Sequence, residues 1–268
     1  MSSQNMKISV ITICLNAEKT LAKTIESVAA QSYRNFEHII IDGGSTDGTL
    51  EVIKEYSKHI DVWTSEPDEG ISDAFNKGIE ASSGDVVAFL NADDWYELDT
   101  LDKVSSAFKA HDVDVVYGNV QLWEDGEAQK CIHADADKLT SEMTLNHQAI
   151  FMRRRALNEV GYFRKDFKLA MDYELLLRLV RVDATFHYLN EILANMTAGG
   201  VSHQKWAQVV REFYRAKQLH FRSWMNVLWL VFQLTKVITR EVLVKLHITA
   251  PIDFYHEHLS KVKKVRSL

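Results

Sequence analysis

The stretch Phe89-Leu90-Asn91-Ala92-Asp93-Asp94-Trp95 decides how the rest of the chain is read. It begins as the end of an apolar run and closes on two adjacent carboxylates. Neighbouring carboxylates at the end of such a run repel each other and are costly to desolvate. A hard divalent cation relieves both problems, because Mg²⁺ and Mn²⁺ prefer carboxylate oxygens and keep positions open for phosphate. The plainer reading is that Asp93 and Asp94 cap the following helix. On this stretch alone both readings stand.

Upstream, residues 7–14 form a β-branched run that reads as a central buried strand, and 36–41 read as a second. Between them Leu21, Ile25, Val28 and Ala29 fall on one helical face. The second strand runs into Asp42-Gly43-Gly44-Ser45-Thr46-Asp47-Gly48, a turn-rich loop leading to a helix with Leu50 and Ile53 inward. A short strand at 61–64, a helix over 71–82 and a fourth strand at 85–90 follow. Asp99 is expected to cap a helix carrying Leu101, Val104 and Phe108. This alternation predicts an α/β fold with a mixed, mostly parallel sheet flanked by helices. Such sheets bind ligands at the carboxyl ends of their strands, near a reversal of strand order. Asn16, Asp42 and residues 91–94 stand at three such ends, a position that favours the cation reading over the cap.

Downstream, residues 119–123 and 128–133 read as an antiparallel hairpin joined by Glu124-Asp125-Gly126-Glu127. Residues 147–152 read as a strand, 154–160 as a short helix, 171–179 as a helix with an acid at its start, and 184–188 as a last strand.

The 268 residues are 46% apolar and 25% charged, ordinary for a globular chain. The net charge of −6 is uneven: residues 201–268 hold 12 Lys+Arg against 4 Asp+Glu, and the preceding 200 hold 19 against 33. We therefore expect two regions, a catalytic domain at 1–200 and a helical, basic extension at 201–268. The extension holds Trp224, Met225, Val227, Leu228, Trp229, Leu230, Val231, Phe232 and Leu234, followed by Lys236, Arg240 and Lys245 and ending in Lys261, Lys263, Lys264 and Arg266. Its apolar part is about half of the ~20 residues a spanning helix needs. Tryptophans beside cations suit a helix lying in a membrane interface; packing on the body or on a partner chain, as in a homo-oligomer built through these helices, is the other reading. Cys14 and Cys131 show no metal or disulfide spacing, and the N-terminus lacks a signal-peptide pattern. A cytoplasmic protein, peripheral at the inner face of the cell membrane, is expected. No nucleic-acid partner is expected.

No Gly-x-Gly-x-x-Gly follows the first strand and no Walker loop is present, which disfavours nicotinamide and P-loop enzymes. The chain does resemble the family 2 glycosyltransferases of the nucleotide-diphosphosugar (GT-A) fold, over roughly residues 6–200. The matching motifs run in order: Val10-Ile11-Thr12-Ile13-Cys14-Leu15-Asn16, the loop from Ile41 to Thr49, Asp68-Glu69-Gly70-Ile71-Ser72-Asp73-Ala74-Phe75-Asn76-Lys77-Gly78, Asn91-Ala92-Asp93-Asp94 and Met171-Asp172-Tyr173.

The resemblance implies that Thr12, Asn16 and Asp42 hold the nucleoside, with Asp42 accepting from the base. Asp73 and Lys77 would lie near ribose and diphosphate, although surface helix polars look the same. Asp94 would ligate Mg²⁺ or Mn²⁺, and Asp93 would contact ribose or metal. Asn91 stands where many members have Asp, so it is read as a polar, donor-side neighbour. Asp172 is the expected catalytic base, because an alcohol attacking an anomeric carbon must lose its proton as the bond forms. Asp172 also sits where a helix cap would. His147-Gln148 and His203 could reach the sugar or metal, but a structural role suits them better. Gly199-Gly200-Val201-Ser202 reads as either a closing loop or a linker.

The implied activity is inverting, metal-dependent transfer from a nucleotide-diphosphate sugar, a UDP-sugar foremost, to a saccharide acceptor. A lipid-linked acceptor in surface polysaccharide assembly is expected. A sugar nucleotidyltransferase would need a Gly-rich basic loop after the first strand, which this chain lacks. A non-catalytic saccharide- or membrane-binding scaffold would not need Asp94 and Asp172.

Overall fold

The computed structural model describes residues 6–199 and 205–245, without the side chains of 206, 236–238 and 240–245. His203, residues 200–202 and the cations from Lys261 onward lie outside the described residues.

Strand β1 (Ile8–Cys14) runs parallel between β2 (Phe36–Asp42) and β4 (Val86–Asn91), with β3 (Val62–Ser65) beyond β2. The chain moves to one side of β1 for β2 and β3 and to the other for β4. Strand order therefore reverses at β1, and the crevice opens there, where Cys14 pairs with Asp42 and Ile13 with Asn91. Beyond β4 come β8 (Ile150–Arg153), β6 (Val115–Glu124), β9 (Phe186–Thr197) and β5 (Trp95–Tyr96), giving the order 3-2-1-4-8-6-9-5. β8 is antiparallel to both β4 and β6, whereas β6 and β9 are parallel. β7 (Glu127–Ile132) forms the expected hairpin with β6, and its turn residues Asp125 and Gly126 take φ of 51° and 81°. Positive φ at both positions matches the right-handed strand twist, and Gly and Asp tolerate it.

The central strands are buried on both faces and largely apolar, with Ser9, Thr12, Glu37 and His38 as buried polar exceptions. Ile11, Ile39, Ile41 and Phe89 face α3 (Ile71–Ala81) and α6 (Met171–Arg181), where Phe75, Tyr173 and Leu176 are buried. Ile8, Val10, Ala88 and Leu90 face α4 (Thr100–Ala110) through Leu101, Val104 and Phe108. α1 (Leu21–Ala29) and α2 (Thr49–Glu55) close a third cluster of Leu21, Ile25, Ile40 and Ile53. Gly78 sets how closely α3 approaches β1: a Cβ there would stand 2.2 Å from Cγ2 of Ile11. Overpacking of this kind costs about 1–3 kcal/mol.

Four expectations change. The last strand does not end at Tyr188 but continues to Thr197, held by β6 on one side and β5 on the other. The segment read as a strand from His147 begins as a 3-10 turn, His147–Ala149, before β8. Asp99 occupies the cap position of α4 without a capping hydrogen bond and pairs instead with Lys103 at 3.1 Å. Asp172 is not the cap of α6: Ala170 is, and Asp172 lies inside the first turn.

Helix α5 (Arg154–Val160) follows β8. After residue 205 come α7 (Trp206–His220) and α8 (Met225–Lys245). α7 packs on α6, with the Phe213 and Tyr173 rings 4.8 Å apart and Ala216 fully buried. α8 leaves Trp224, just before it, and Met225, Leu228 and Phe232 exposed. Among the described residues no helix is long and apolar enough to cross a membrane.

Candidate active site

The end of β4 turns both carboxylates of the opening stretch, but in different directions. Asp94 points inward and is 2% exposed. Its Oδ2 accepts from Nε2 of Gln148 at 2.8 Å and Nδ2 of Asn91 at 3.2 Å, and its Oδ1 accepts from the Thr197 amide at 3.2 Å. Burial and the neighbouring Asp93 push its carboxyl well above the usual carboxylate range. Asp94, expected to ligate a cation, is thus held by protein donors on both oxygens. It ties β4 to β9 and to the turn before β8. Asn91 is part of the same bond set.

Asp93 is the more open of the two. Its carboxylate has no hydrogen-bond donor from another side chain among the described residues, and its backbone oxygen accepts from Thr197 Oγ1 at 2.7 Å. Burial raises its pKa too, while the His147 imidazole pulls it back down. His147 faces the catalytic helix as well: Nδ1 stands 3.5 Å from Oδ2 of Asp172. Nε2 of His147 is buried with no partner in the structure, and the ring meets Phe75 edge-on at 5.8 Å. His147 thus faces Asp172 directly and lies within electrostatic reach of Asp93, so the turn before β8 looks toward both the start of α6 and the end of β4.

Asp172 places Oδ1 on the Tyr173 amide at 2.7 Å, which leaves Oδ2 turned toward His147. The orientation is fixed because α6 is buried along Tyr173, Leu175, Leu176 and Leu179, with the Tyr173 hydroxyl donating to the Leu139 carbonyl at 2.7 Å.

The β1 and β2 ends build a wall rather than a row of free side chains. Asp42 is fully buried. It accepts from the Gly44 and Ser45 amides at 3.2 and 3.0 Å, from Ser65 Oγ at 2.7 Å, from Ser45 Oγ and from Cys14 Sγ. Burial alone would raise its pKa, but these bonds outweigh it and hold the carboxyl low. Asp42 therefore fixes the 43–45 loop and presents no open oxygen to the crevice. Asn16 is exposed at the end of β1 with φ of 52°, a left-handed conformation Asn tolerates. Its Oδ1 accepts from the Thr46 amide at 2.9 Å, joining the two strand ends. Thr12 is not brought to the crevice: it is fully buried, and its hydroxyl meets Nε2 of His38 at 2.9 Å.

On α3, Asp73 pairs with Lys165 at 2.6 Å and Lys77 at 3.6 Å, and its pKa is lowered chiefly by Lys165. Lys77 reaches Glu66 at 2.8 Å. These two residues form an ion-pair cluster with Glu66 and Lys165. Sequence reasoning missed Thr197 and Lys165, which no motif marks, and undervalued His147 and Gln148. A polar His-Gln pair just before an apolar strand was the available signal.

Could these residues hold a cation? Asp93 supplies a carboxylate without a competing donor, and the buried Nε2 of His147 is an unfilled acceptor or ligand atom. Among the described residues no group of three or more His, Cys, Asp or Glu side chains clusters closely enough to enclose an ion. The site fits a cation shared with a ligand's phosphates and water, not a closed protein cage.

With an acidic crevice at the carboxyl edge of a switched α/β sheet, the chain belongs to Glycosyl transferase family 2, whose model matches residues 9–176. Its fold is of the GT-A type. It is 29% identical over 245 residues to the PGL/p-HBAD biosynthesis glycosyltransferase of Mycobacterium bovis, covering 88% of this chain and 94% of that protein. It is similar in fold to S. aureus TarS 1–349 in complex with UDP-GlcNAc (TM-score 0.61, 20% identity, 79% of this chain and 66% of that one). It is also similar to the mannosyltransferase PcManGT from Pyrobaculum calidifontis in complex with GDP-Man and Mn²⁺ (TM-score 0.62, 16% identity, 80% and 64%). The chain spans less than two thirds of both solved proteins, and 39% of TarS in its longer crystallised form.

Proposed function

We propose that this glycosyltransferase inverts the anomeric centre in a single displacement, with Asp172 as the base and a nucleotide-diphosphate sugar as donor. The observation that carries this reading is the Asp172 carboxylate facing His147 at 3.5 Å at the carboxyl edge of the sheet, with Asp93 within electrostatic reach of the same imidazole. Asp172 takes the proton of the attacking hydroxyl as the new bond forms, and His147 holds its outer oxygen. The loop fixed by Asp42 and joined by Asn16 lines the nucleoside side, and Asp73 and Lys77 flank the diphosphate side. Asp93 would hold Mg²⁺ or Mn²⁺; a cation there would neutralise charge developing on the departing diphosphate. Asp94 positions Asp93 from within. The solved relatives bind UDP-GlcNAc or GDP-Man with Mn²⁺, which supports a nucleotide-sugar donor and a cation.

A lipid-linked acceptor at an anionic membrane surface is the second part of the proposal. Trp224 is 73% exposed and Phe232 60% exposed, and residues 201–268 are strongly basic. An open groove of about 800 Å³ lined by Tyr214, Gln218, Arg222 and Trp224 lies beside them. Such a surface suits a lipid headgroup.

The test is a panel of UDP- and GDP-sugars incubated with Mg²⁺, Mn²⁺ or EDTA, with release of nucleoside diphosphate as the readout. We expect release from one donor class, at least tenfold faster with metal. Release of nucleotide monophosphate, or none with any donor, would overturn the reading.

A further inference from the structure

Helix α7 lies beyond the segment matched by the family model, yet it grips the start of the catalytic helix. Glu212 on α7 is 7% exposed. Its Oε2 accepts from three successive amides, Lys168 at 3.0 Å, Leu169 at 2.8 Å and Ala170 at 3.0 Å. Its other oxygen accepts from Gln208 at 2.9 Å. These amides lead directly into α6, whose own cap residue, Ala170, has no side chain able to accept a bond. Backbone N–H groups at a helix start need partners, and a negative charge there is favoured. Three such bonds converging on one buried carboxylate oxygen make a cap supplied from a distant helix.

Without that cap the nearest acceptor in the chain is Asp172, two residues on from Ala170. An aspartate at the start of a helix readily folds back onto its own amides. One turn further along, a second grip repeats the pattern. Nε2 of His220, at the end of α7, meets Oε1 of the fully buried Glu174 at 2.8 Å. Oε2 of Glu174 pairs with Arg178, which donates to the Val160, Gly161 and Tyr162 carbonyls.

We propose that Glu212 is a positioning residue for Asp172: by capping α6 from α7 it leaves the outer oxygen of Asp172 free to face His147 and the acceptor. This inference rests on the reading of Asp172 as the base. It makes α7 part of the catalytic unit rather than an appendage.

The test uses the full chain with E212Q, E212A, D172N and the two double variants. The first readout is hydrogen exchange without any donor. E212A should release protection at the amides of Lys168, Leu169 and Ala170 by at least tenfold and leave β1 and β4 unchanged. Equal protection in wild type and E212A would overturn the proposal. The second readout is kcat and donor KM, on whichever of UDP-GlcNAc or GDP-mannose the wild type turns over. E212A should lower kcat 10- to 100-fold with KM within about threefold, and E212Q, which keeps an acceptor oxygen, should lie between. In the D172N background the E212A effect should vanish, since residues acting as one unit are not additive. A purely architectural role would lower kcat equally in both backgrounds and would contradict the proposal. If D172N itself turned over normally, the base reading would fall. If D172N were inactive and E212A normal, only the positioning inference would fall.

Discussion

Oδ2 of Asp172 stands 3.5 Å from Nδ1 of His147, so the first turn of α6 and the turn before β8 meet through one pair of side chains. Under the proposed function the pair gives His147 an orienting role, restraining the carboxylate that would receive the proton. Replacing the imidazole with a group that cannot restrain it should lower kcat without altering donor affinity. We expect H147A to reduce kcat about tenfold, less than the 10²- to 10⁴-fold loss expected for the base itself, with donor KM within twofold. Initial rates at saturating acceptor check this. A change confined to KM would assign His147 to donor binding instead.

Asp93 and Asp94 should separate cleanly. D93N leaves the folded interior untouched, and we expect it to weaken Mn²⁺-dependent UDP or GDP binding at least tenfold with little change in Tm. D94N puts an amide where at least one protein donor, from Asn91, Gln148 or the Thr197 amide, already points. It should cost about 1–3 kcal/mol of stability. Calorimetric titration and thermal melts of both variants decide the assignment, and the reverse pattern would restore Asp94 as the ligand.

Acid stability should report Glu37, which is buried and bonded to Lys7 Nζ, to Ser9 Oγ at 2.6 Å and to the Ser83 amide at 2.6 Å. Burial pushes its pKa up, but these hydrogen bonds outweigh it and hold the carboxyl at about 2. A pKa depressed below the unfolded value of about 4.3 stabilises the fold above that pH, and the contribution is lost as pH falls toward 2. The urea midpoint of wild type should therefore exceed that of E37Q at pH 7, by up to about 3 kcal/mol in free energy, and the gap should close between pH 4 and 2. A gap independent of pH would contradict the ionic role.

Membrane association can be read on vesicles. W224S/F232S should cut partitioning onto phosphatidylglycerol vesicles about 30-fold, since each substitution removes roughly 1 kcal/mol of apolar burial when only part of the side chain inserts. Raising salt to 0.5 M should release the wild type as charges are screened. Vesicle binding unaffected by either treatment would remove the interfacial role of α8.

The sheet was largely legible because β1, β2 and β4 are buried on both faces, so their runs are dominated by apolar and β-branched residues. The extent of β9 was not. Asn190, Glu191 and Asn195 interrupt its apolar pattern, and its pairing with β6 and β5 depends on contacts distant in sequence. The motifs named the acidic residues of the crevice but not their facing. Whether Asp93 or Asp94 turns inward depends on Gln148 and Thr197, which lie 54 and 103 residues from Asp94 in sequence. Glu212 was invisible for the same reason: nothing in its neighbourhood shows that three amides of the 168–170 segment will meet it. Thr12 misled because its role came from the family resemblance alone, whereas its side chain is fully buried against His38.

The central claim is that Asp172 accepts the acceptor's proton. The direct measurement is kcat of D172N on the donor and acceptor used by wild type, with nucleotide binding and Tm recorded on the same preparation. Asn retains the bond to the Tyr173 amide and the shape of the side chain but cannot take a proton. We predict a loss of 10²- to 10⁴-fold in kcat with binding and Tm unchanged, whereas turnover within a few-fold of wild type would contradict the account.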